Sequence, residues 1–115
     1  MQIQVHFSDV QNSWAINSHV HQRLANALKS GLDQITRIDV HLHDDSGPSK
    51  SGTSDKRCTI EMRLAGMDPM SIEQRGNDMY AVINQATRKL QKTLSKTRDR
   101  QRDHRHQMRH FASLN

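Results

Sequence analysis

The sequence lacks the features that cross-link a small protein or attach it to a membrane. Its single cysteine, Cys58, excludes an intramolecular disulfide framework and the common structural-zinc spacings, which need paired cysteines. No stretch approaches the roughly 18 apolar residues of a membrane span, and the first residues lack the basic and apolar segments of a secretory signal. These absences favour a reducing compartment, so we expect a cytoplasmic protein with no membrane partner.

Aromatic residues are also scarce. The chain of 115 residues is 33% hydrophobic, and its aromatic side chains are Phe7, Trp14, Tyr80 and Phe111. A chain of this length fits one compact domain, whose core must therefore be aliphatic and thin.

Positive charge is concentrated in one segment. Nine of the seventeen Lys and Arg residues lie between positions 84 and 110, where Asp99 and Asp103 are the acids, so this segment carries a net charge of +7. The rest of the chain holds eight cations and ten acids. Because a confined cationic surface is typical of proteins that bind polyanions, nucleic acid is the leading expected partner.

Four segments alternate apolar and polar residues with the period of a half-buried strand. They are residues 2–7, 35–43, 57–64 and 70–76. In the second of them Ile38, Val40 and Leu42 fall on one side, and charged or imidazole side chains fall on the other. Residues 44–56 contain four Ser, two Gly and one Pro but no apolar residue, which indicates a long hairpin loop.

Two further segments repeat apolar residues at spacings of three and four, which predicts amphipathic helices. The first helix has Ser13 as its N-cap and a stop at residues 29–31. Its apolar positions are Ile16, Val20, Leu24, Ala27 and Leu28. Asn77 or Asp78 caps the second helix. Its apolar positions are Met79, Val82, Ile83, Ala86, Leu90, Leu94 and Thr97.

The element order is therefore β-α-β-β-β-α, which predicts an α+β fold. The apolar stripe of the second helix stops near Arg100, so residues after about 103 have nothing to pack against. We therefore expect an α+β domain at residues 1–103, followed by a basic, His-rich and disordered tail at residues 104–115.

The second helix carries cations on one side. At 100° per residue, four of them fall within about an 80° arc, roughly opposite the apolar stripe. They are Lys89, Lys92, Lys96 and Arg100. A solvated helix face usually mixes Glu with Lys, but this helix has no Glu, so its cations repel one another unless a polyanion neutralises them. The pattern predicts salt-dependent binding to RNA phosphates, to which Arg23 and Lys29 of the first helix could add.

No catalytic or metal site is predicted. His41 and His43 share one side of a strand without a ligand motif beside them, and the histidines after residue 103 lie among arginines that would repel a cation. No nucleophile motif or Gly-rich phosphate loop accompanies them. Cys58 falls on the apolar side of its strand, so we expect a buried and inert thiol. We expect a non-enzymatic protein without metal, cofactor or small-molecule substrate.

The entry to the second helix resembles a known family. Residues 78–83, Asp-Met-Tyr-Ala-Val-Ile, are followed by Arg-Lys-Leu at 88–90 and a Lys-rich continuation. This segment resembles the second helix of the ribosome hibernation promoting factors, also called the ribosome-associated inhibitor family. The element order and the Ile-Thr at residues 35–36 also have counterparts there, so the resemblance, to short members of the family, covers roughly residues 1–103.

The resemblance implies a four-stranded sheet with both helices packed on one face. It implies binding to 16S-type ribosomal RNA of the small subunit, in the channel used by messenger and transfer RNA, which would silence idle ribosomes. It also implies that Met79 and Tyr80 are mainly core. The residues that would face RNA are Arg23, Lys29, Arg88, Lys89, Lys92, Lys96 and Arg100.

Two other functions are compatible with the residues. One is a generic double-stranded RNA-binding or RNA chaperone domain, since modules with this mixture of strands and helices also read RNA by its shape and backbone. The other is a protein-interaction module whose basic helix meets an acidic partner, for instance a polymerase-associated regulator.

Overall fold

The computed structural model describes residues 2–29, 35–45 and 55–113, with the side chains of these residues up to 97 and that of Asp99. Six elements follow one another in the expected order. They are β1 (Gln2–Ser8), α1 (Trp14–Ala27), β2 (Ile35–Asp44), β3 (Lys56–Leu64), β4 (Met70–Gly76) and α2 (Met79–Ser113). The β-α-β-β-β-α order and the α+β class are confirmed.

The four strands form one sheet in the order β1-β2-β3-β4. β1 pairs with β2 in parallel, which requires a crossover that α1 provides, and the remaining pairs are antiparallel. The register aligns Val5 with Val40, Val40 with Ile60, and Ile60 with Ile72. Directly paired residues lie on the same face of a sheet, so one apolar row crosses all four strands.

Both helices pack against this apolar face. Val20 and Leu24 of α1 are buried in one cluster with Ile83 and Leu90 of α2 and with the apolar strand residues. The core is aliphatic, as expected, and Thr87 is the polar residue buried with it in the described part of the chain. No described element covers the opposite face of the sheet, which we call the open sheet face.

Side-chain caps fix the start of each helix. Ile16 donates its backbone N–H to Ser13 Oγ over 3.3 Å, which confirms Ser13 as the N-cap of α1. For α2 the cap is Asp78, because the N–H of Ala81 donates to its carboxylate over 3.2 Å. The cap of α2 thus lies two residues beyond Gly76, where β4 ends.

The far end of α2 differs from the sequence-based expectation. The helix continues to Ser113, whereas the expected end lay near residue 103. An apolar stripe shows where a helix packs, but a helical backbone needs only residues with sufficient helix propensity. Residues 79–113 contain neither Gly nor Pro and are rich in Arg, Lys and Gln, so the helix can continue past its apolar stripe. The division at residue 103 stays a prediction, since side chains beyond Asp99 are not described.

Residues 46–54 of the expected hairpin loop lie outside the described residues. The ends of that loop are joined by a hydrogen bond of 2.8 Å from the N–H of Asp45 to the carbonyl of Asp55. Within the described ranges, no helix is both long and apolar enough to cross a membrane.

Gly76 marks a close approach between β4 and α2. A Cβ atom at this position would lie 2.8 Å from Cγ2 of Val82, a core residue. We expect Gly76→Ala to lower the free energy of unfolding by about 1–3 kcal/mol through overpacking. Urea denaturation followed by far-UV circular dichroism measures this, with Ser71→Ala, at an exposed position of β4, as the control. Equal stability of the two variants would contradict the close packing.

Candidate nucleic-acid interface

The outward surface of α1 and α2, which we call the helical face, is built from two helices that run in parallel. His19 of α1 contacts the beginning of α2: its Nε2 is hydrogen-bonded to Asn84 Oδ1 over 2.7 Å. Further along α1, Asn26 lines a shared cleft with Gln91 of α2. The two helices therefore run in the same N-to-C direction on either side of the seam between them.

Three lysines form a row on the flank of α2 that faces away from α1. Gln85 marks this flank, because its side chain accepts a hydrogen bond of 3.2 Å from Gln74 of β4. Lys89, Lys92 and Lys96 follow Gln85 by four, seven and eleven residues, spacings that return to the same side of a helix. All three are exposed, and the lysine row covers about 10 Å of helix axis at 1.5 Å per residue.

Arg23 and Arg88 meet at the seam instead. They line a cleft of about 120 Å³ between the helices, together with Asn26, Ala27, Thr87 and Gln91. Arg23 is partly buried, and its Nε is covered without a hydrogen-bond partner among the described residues. The seam cleft therefore presents two guanidinium groups and two side-chain amides and no carboxylate, a lining that suits a phosphate oxygen.

The remaining two expected RNA-facing residues lie apart from these groups. Lys29 is exposed and follows Leu28, the C-cap of α1. Arg100 lies in α2, but its side chain is outside the described residues. Sequence reasoning placed all seven cations in one set, whereas the structure divides the described ones into the lysine row, the seam cleft and an end position.

Pairing of charges distinguishes the helices from the strands. The six described cations of the helical face make no hydrogen bond or ion pair with any described side chain, and α1 and residues 79–97 of α2 contain no acid. On the strands, four of five cations have carboxylate partners within 4 Å. These four are Arg37, Lys56, Arg57 and Arg75, while Arg63 has no ion pair in the described structure.

The open sheet face carries a network centred on Asp39. Arg37 Nε donates to its carboxylate over 2.7 Å, and His6 Nε2 is hydrogen-bonded to the other oxygen over 3.0 Å. These hydrogen bonds, that of Arg37 first, lower the pKa of Asp39 to about 2. The ring of His6 also stacks on that of His41, with centroids 4.6 Å apart. Charge around Asp39 is thus locally compensated.

A larger concavity on the open sheet face is a weaker candidate site. It measures about 650 Å³, and its lining mixes both signs of charge. The lining residues are Arg37, Asp39, Glu61, Arg63, Pro69, Met70 and Ser71. Because its acids sit beside its cations, it offers a polyanion no net attraction, in contrast to the helical face.

The thiol and the imidazoles provide no further chemistry in the described structure. Cys58 is fully buried, as expected, and burial raises the pKa of its thiol to about 12, which disfavours the reactive thiolate. Among the described residues, no three His, Cys, Asp or Glu side chains come together as metal ligands. The histidines at 104, 106 and 110 have side chains outside the described residues.

One aromatic residue is placed differently from the sequence-based expectation, and another had no role assigned to it. Met79 is buried as expected, but Tyr80 is 40% exposed and meets the ring of His19 edge-on, with centroids 5.0 Å apart. Tyr80 lies about 100° around α2 from Met79, so it faces the seam rather than the sheet. Trp14 is 82% exposed, and no function was assigned to it from the sequence. The position of Trp14 outside the apolar repeat of α1 could have indicated from the sequence that its side chain is exposed.

Residues 3–102 match the protein family described as Sigma 54 modulation protein / S30EA ribosomal protein. The chain belongs to this family. The match includes α1, the four strands and α2 as far as residue 102, and it confirms the resemblance to the hibernation factors found at the entry to α2. No curated protein sequence shows significant similarity to the chain.

Solved structures share the fold. A ribosomal subunit interface protein from Coxiella burnetii aligns over 86% of this chain and 99% of its own, with a TM-score of 0.72 and 22% identity. The N-terminal domain of Thermus thermophilus Protein Y aligns over 84% of this chain and 99% of its own, with a TM-score of 0.66 and 23% identity. At these identities the likeness establishes the fold of the family, not the roles of individual side chains.

The network at Asp39 makes stability depend on pH. Its carboxyl has a lower pKa in the folded protein than its ordinary 3.8, so its ionised form stabilises the fold above about pH 4 and this stabilisation is lost as the pH falls to about 2. Asp39→Asn should be less stable than the wild type at neutral pH and should lose less stability between these two pH values. Urea denaturation across that range, followed by circular dichroism, measures both; parallel pH profiles would contradict the network.

Proposed function

We propose that the protein is a translation-silencing factor that binds ribosomal RNA of the small subunit through the helical face. In this proposal it occupies the channel used by messenger and transfer RNA and keeps idle ribosomes silent in the cytoplasm. It acts by occupancy, so it needs no cofactor and catalyses no reaction. Family membership supports the ribosome as the partner, as does the name of the Coxiella relative, a ribosomal subunit interface protein.

The observation that carries the proposal is the unneutralised charge of the helical face. Six described cations lie there without an acidic partner, while four of the five strand cations are paired on the molecule itself. Unpaired cations on adjacent helices repel one another, and a polyanion relieves that repulsion while it releases its own counterions. Ribosomal RNA supplies such a polyanion with a fixed shape that two parallel helices can match.

The lysine row should supply much of the affinity. We expect the triple variant Lys89→Glu, Lys92→Glu, Lys96→Glu to lose cosedimentation with isolated small subunits. Its thermal stability should be kept or improved, because the three side chains are exposed and the change removes repulsion within α2. Unchanged cosedimentation of a folded triple variant would rule the proposal out.

A matched pair of single variants tests whether binding depends on the helical face or only on the net charge of the protein. Lys92→Glu and Arg63→Glu change the net charge equally, and both residues are exposed without an ion pair in the described structure, but they lie on opposite faces. We expect Lys92→Glu to weaken binding to small subunits more than Arg63→Glu does. Equal weakening would mean that net charge, and not the helical face, determines binding.

Salt dependence gives a second measure of the same surface. If all six described cations of the helical face meet phosphates, the logarithm of the association constant should fall with the logarithm of salt concentration with a slope of about −4 to −5. In the triple lysine variant this slope should shrink by about 2 or more. A wild-type slope near zero would exclude phosphate contacts as the main source of affinity.

The position in the channel needs a competition experiment. Small subunits already loaded with messenger and initiator transfer RNA should exclude the protein, whereas empty subunits should bind it. Equal binding to loaded and empty subunits would contradict occupancy of the channel. A generic duplex-binding domain would instead bind naked double-stranded RNA as tightly as it binds subunits, and an acidic protein partner would survive nuclease treatment before pull-down.

A further inference from the structure

Two large hydrophobic side chains are exposed in the described structure, one on α1 and one on α2. Trp14 is 82% exposed and Tyr80 is 40% exposed, while Val20 and Leu24 of α1 and the Val, Ile and Leu residues of α2 up to Leu94 are buried. An aromatic side chain can bury 150–250 Å² of surface, so the exposure of Trp14 leaves a large apolar area without a partner. The open sheet face has no comparable side chain among its described residues.

The two aromatic residues lie at the same end of the two helices, although Trp14 lies about 180° around α1 from Arg23 and therefore on the side of α1 away from the seam cleft. Trp14 is the first residue of α1 and Tyr80 is the second residue of α2, and the helices run in parallel. The neighbours of Trp14 one turn further along α1 are Asn17 and Ser18, whose short side chains leave the indole uncovered. From this end, the seam cleft and the lysine row extend toward the C-terminal ends of the helices.

Aromatic rings at one end of a cationic surface match the chemistry of unpaired nucleic acid. Bases in a single strand expose their faces to an aromatic side chain while the phosphates follow the cations, whereas bases within a duplex are already stacked on one another. We infer that Trp14 stacks on an unpaired base of the bound RNA. The ligand of the helical face is therefore single-stranded or looped RNA, with Tyr80 as a second, smaller contact. The inference rests on the proposed binding of RNA by this face and specifies which RNA it takes.

Abasic RNA separates stacking from charge. Two oligonucleotides of equal length are compared at low ionic strength, one an unstructured pyrimidine strand and the other its abasic counterpart with the same phosphates. The wild type should bind the base-bearing strand about 5- to 150-fold more tightly, the range that one base stacked on an aromatic side chain supplies. Trp14→Ala should lose most of this preference but bind the abasic strand as the wild type does, and Trp14→Phe should keep part of it.

Fluorescence provides a direct readout, because Trp14 is the single tryptophan of the chain. The base-bearing strand should quench its emission, and the abasic strand should leave it nearly unchanged. Circular dichroism checks that Trp14→Ala is folded, which its exposure makes the expected result.

Three results would overturn the inference. One is a Trp14→Ala variant that keeps the full preference for bases, another is unquenched emission on saturation with the base-bearing strand, and the third is tighter binding of a duplex than of the unpaired strand. In each case the triple lysine variant decides whether the proposed function stands, because loss of its binding to small subunits does not depend on Trp14. Failure of the lysine experiment alone would instead remove the electrostatic basis and leave stacking to be judged by the abasic comparison.

Discussion

The one-sided burial of the sheet is the constraint on which the rest of the structure depends. A row of aliphatic side chains crosses all four strands on the same face, and the thin core leaves each helix one stripe with which to cover it. Both helices must therefore lie side by side on that face, and their polar sides become one continuous outer surface. The positions of the cations on α1 and on α2 up to Lys96 follow from this packing.

The same packing explains why the charges of the two faces behave differently. Residues two apart on a strand share one face, so Arg37 and Arg75 find the carboxylates of Asp39 and Glu73 on their own strands. The helices have no acids to offer before Asp99, and their cations remain unpaired in the described structure. Repulsion between these cations lowers the stability of the free protein, and a bound polyanion would remove that repulsion. The surface with the most unpaired positive charge is therefore also the one best suited to RNA.

Sequence periodicity predicted the positions of the helices and strands better than it predicted which side chains meet between them. Alternation located all four strands within a residue or so, because period-two patterning directly reflects one buried face. It did not anticipate that Arg23 and Arg88 share a cleft, since their meeting depends on how two helices align along the seam. Tyr80 was expected in the core from the family resemblance, yet it is 40% exposed and faces the seam. The course of α2 to Ser113 follows from helix propensity, which the apolar stripe does not report.

The central claim is that an RNA surface of the small ribosomal subunit neutralises the helical face. Sedimentation of a cell extract through sucrose gradients, with detection of the untagged protein, tests it most directly. The account predicts that the protein travels with small subunits or whole ribosomes at low salt and moves to the top of the gradient at high salt. A protein that stays at the top at low salt would contradict it.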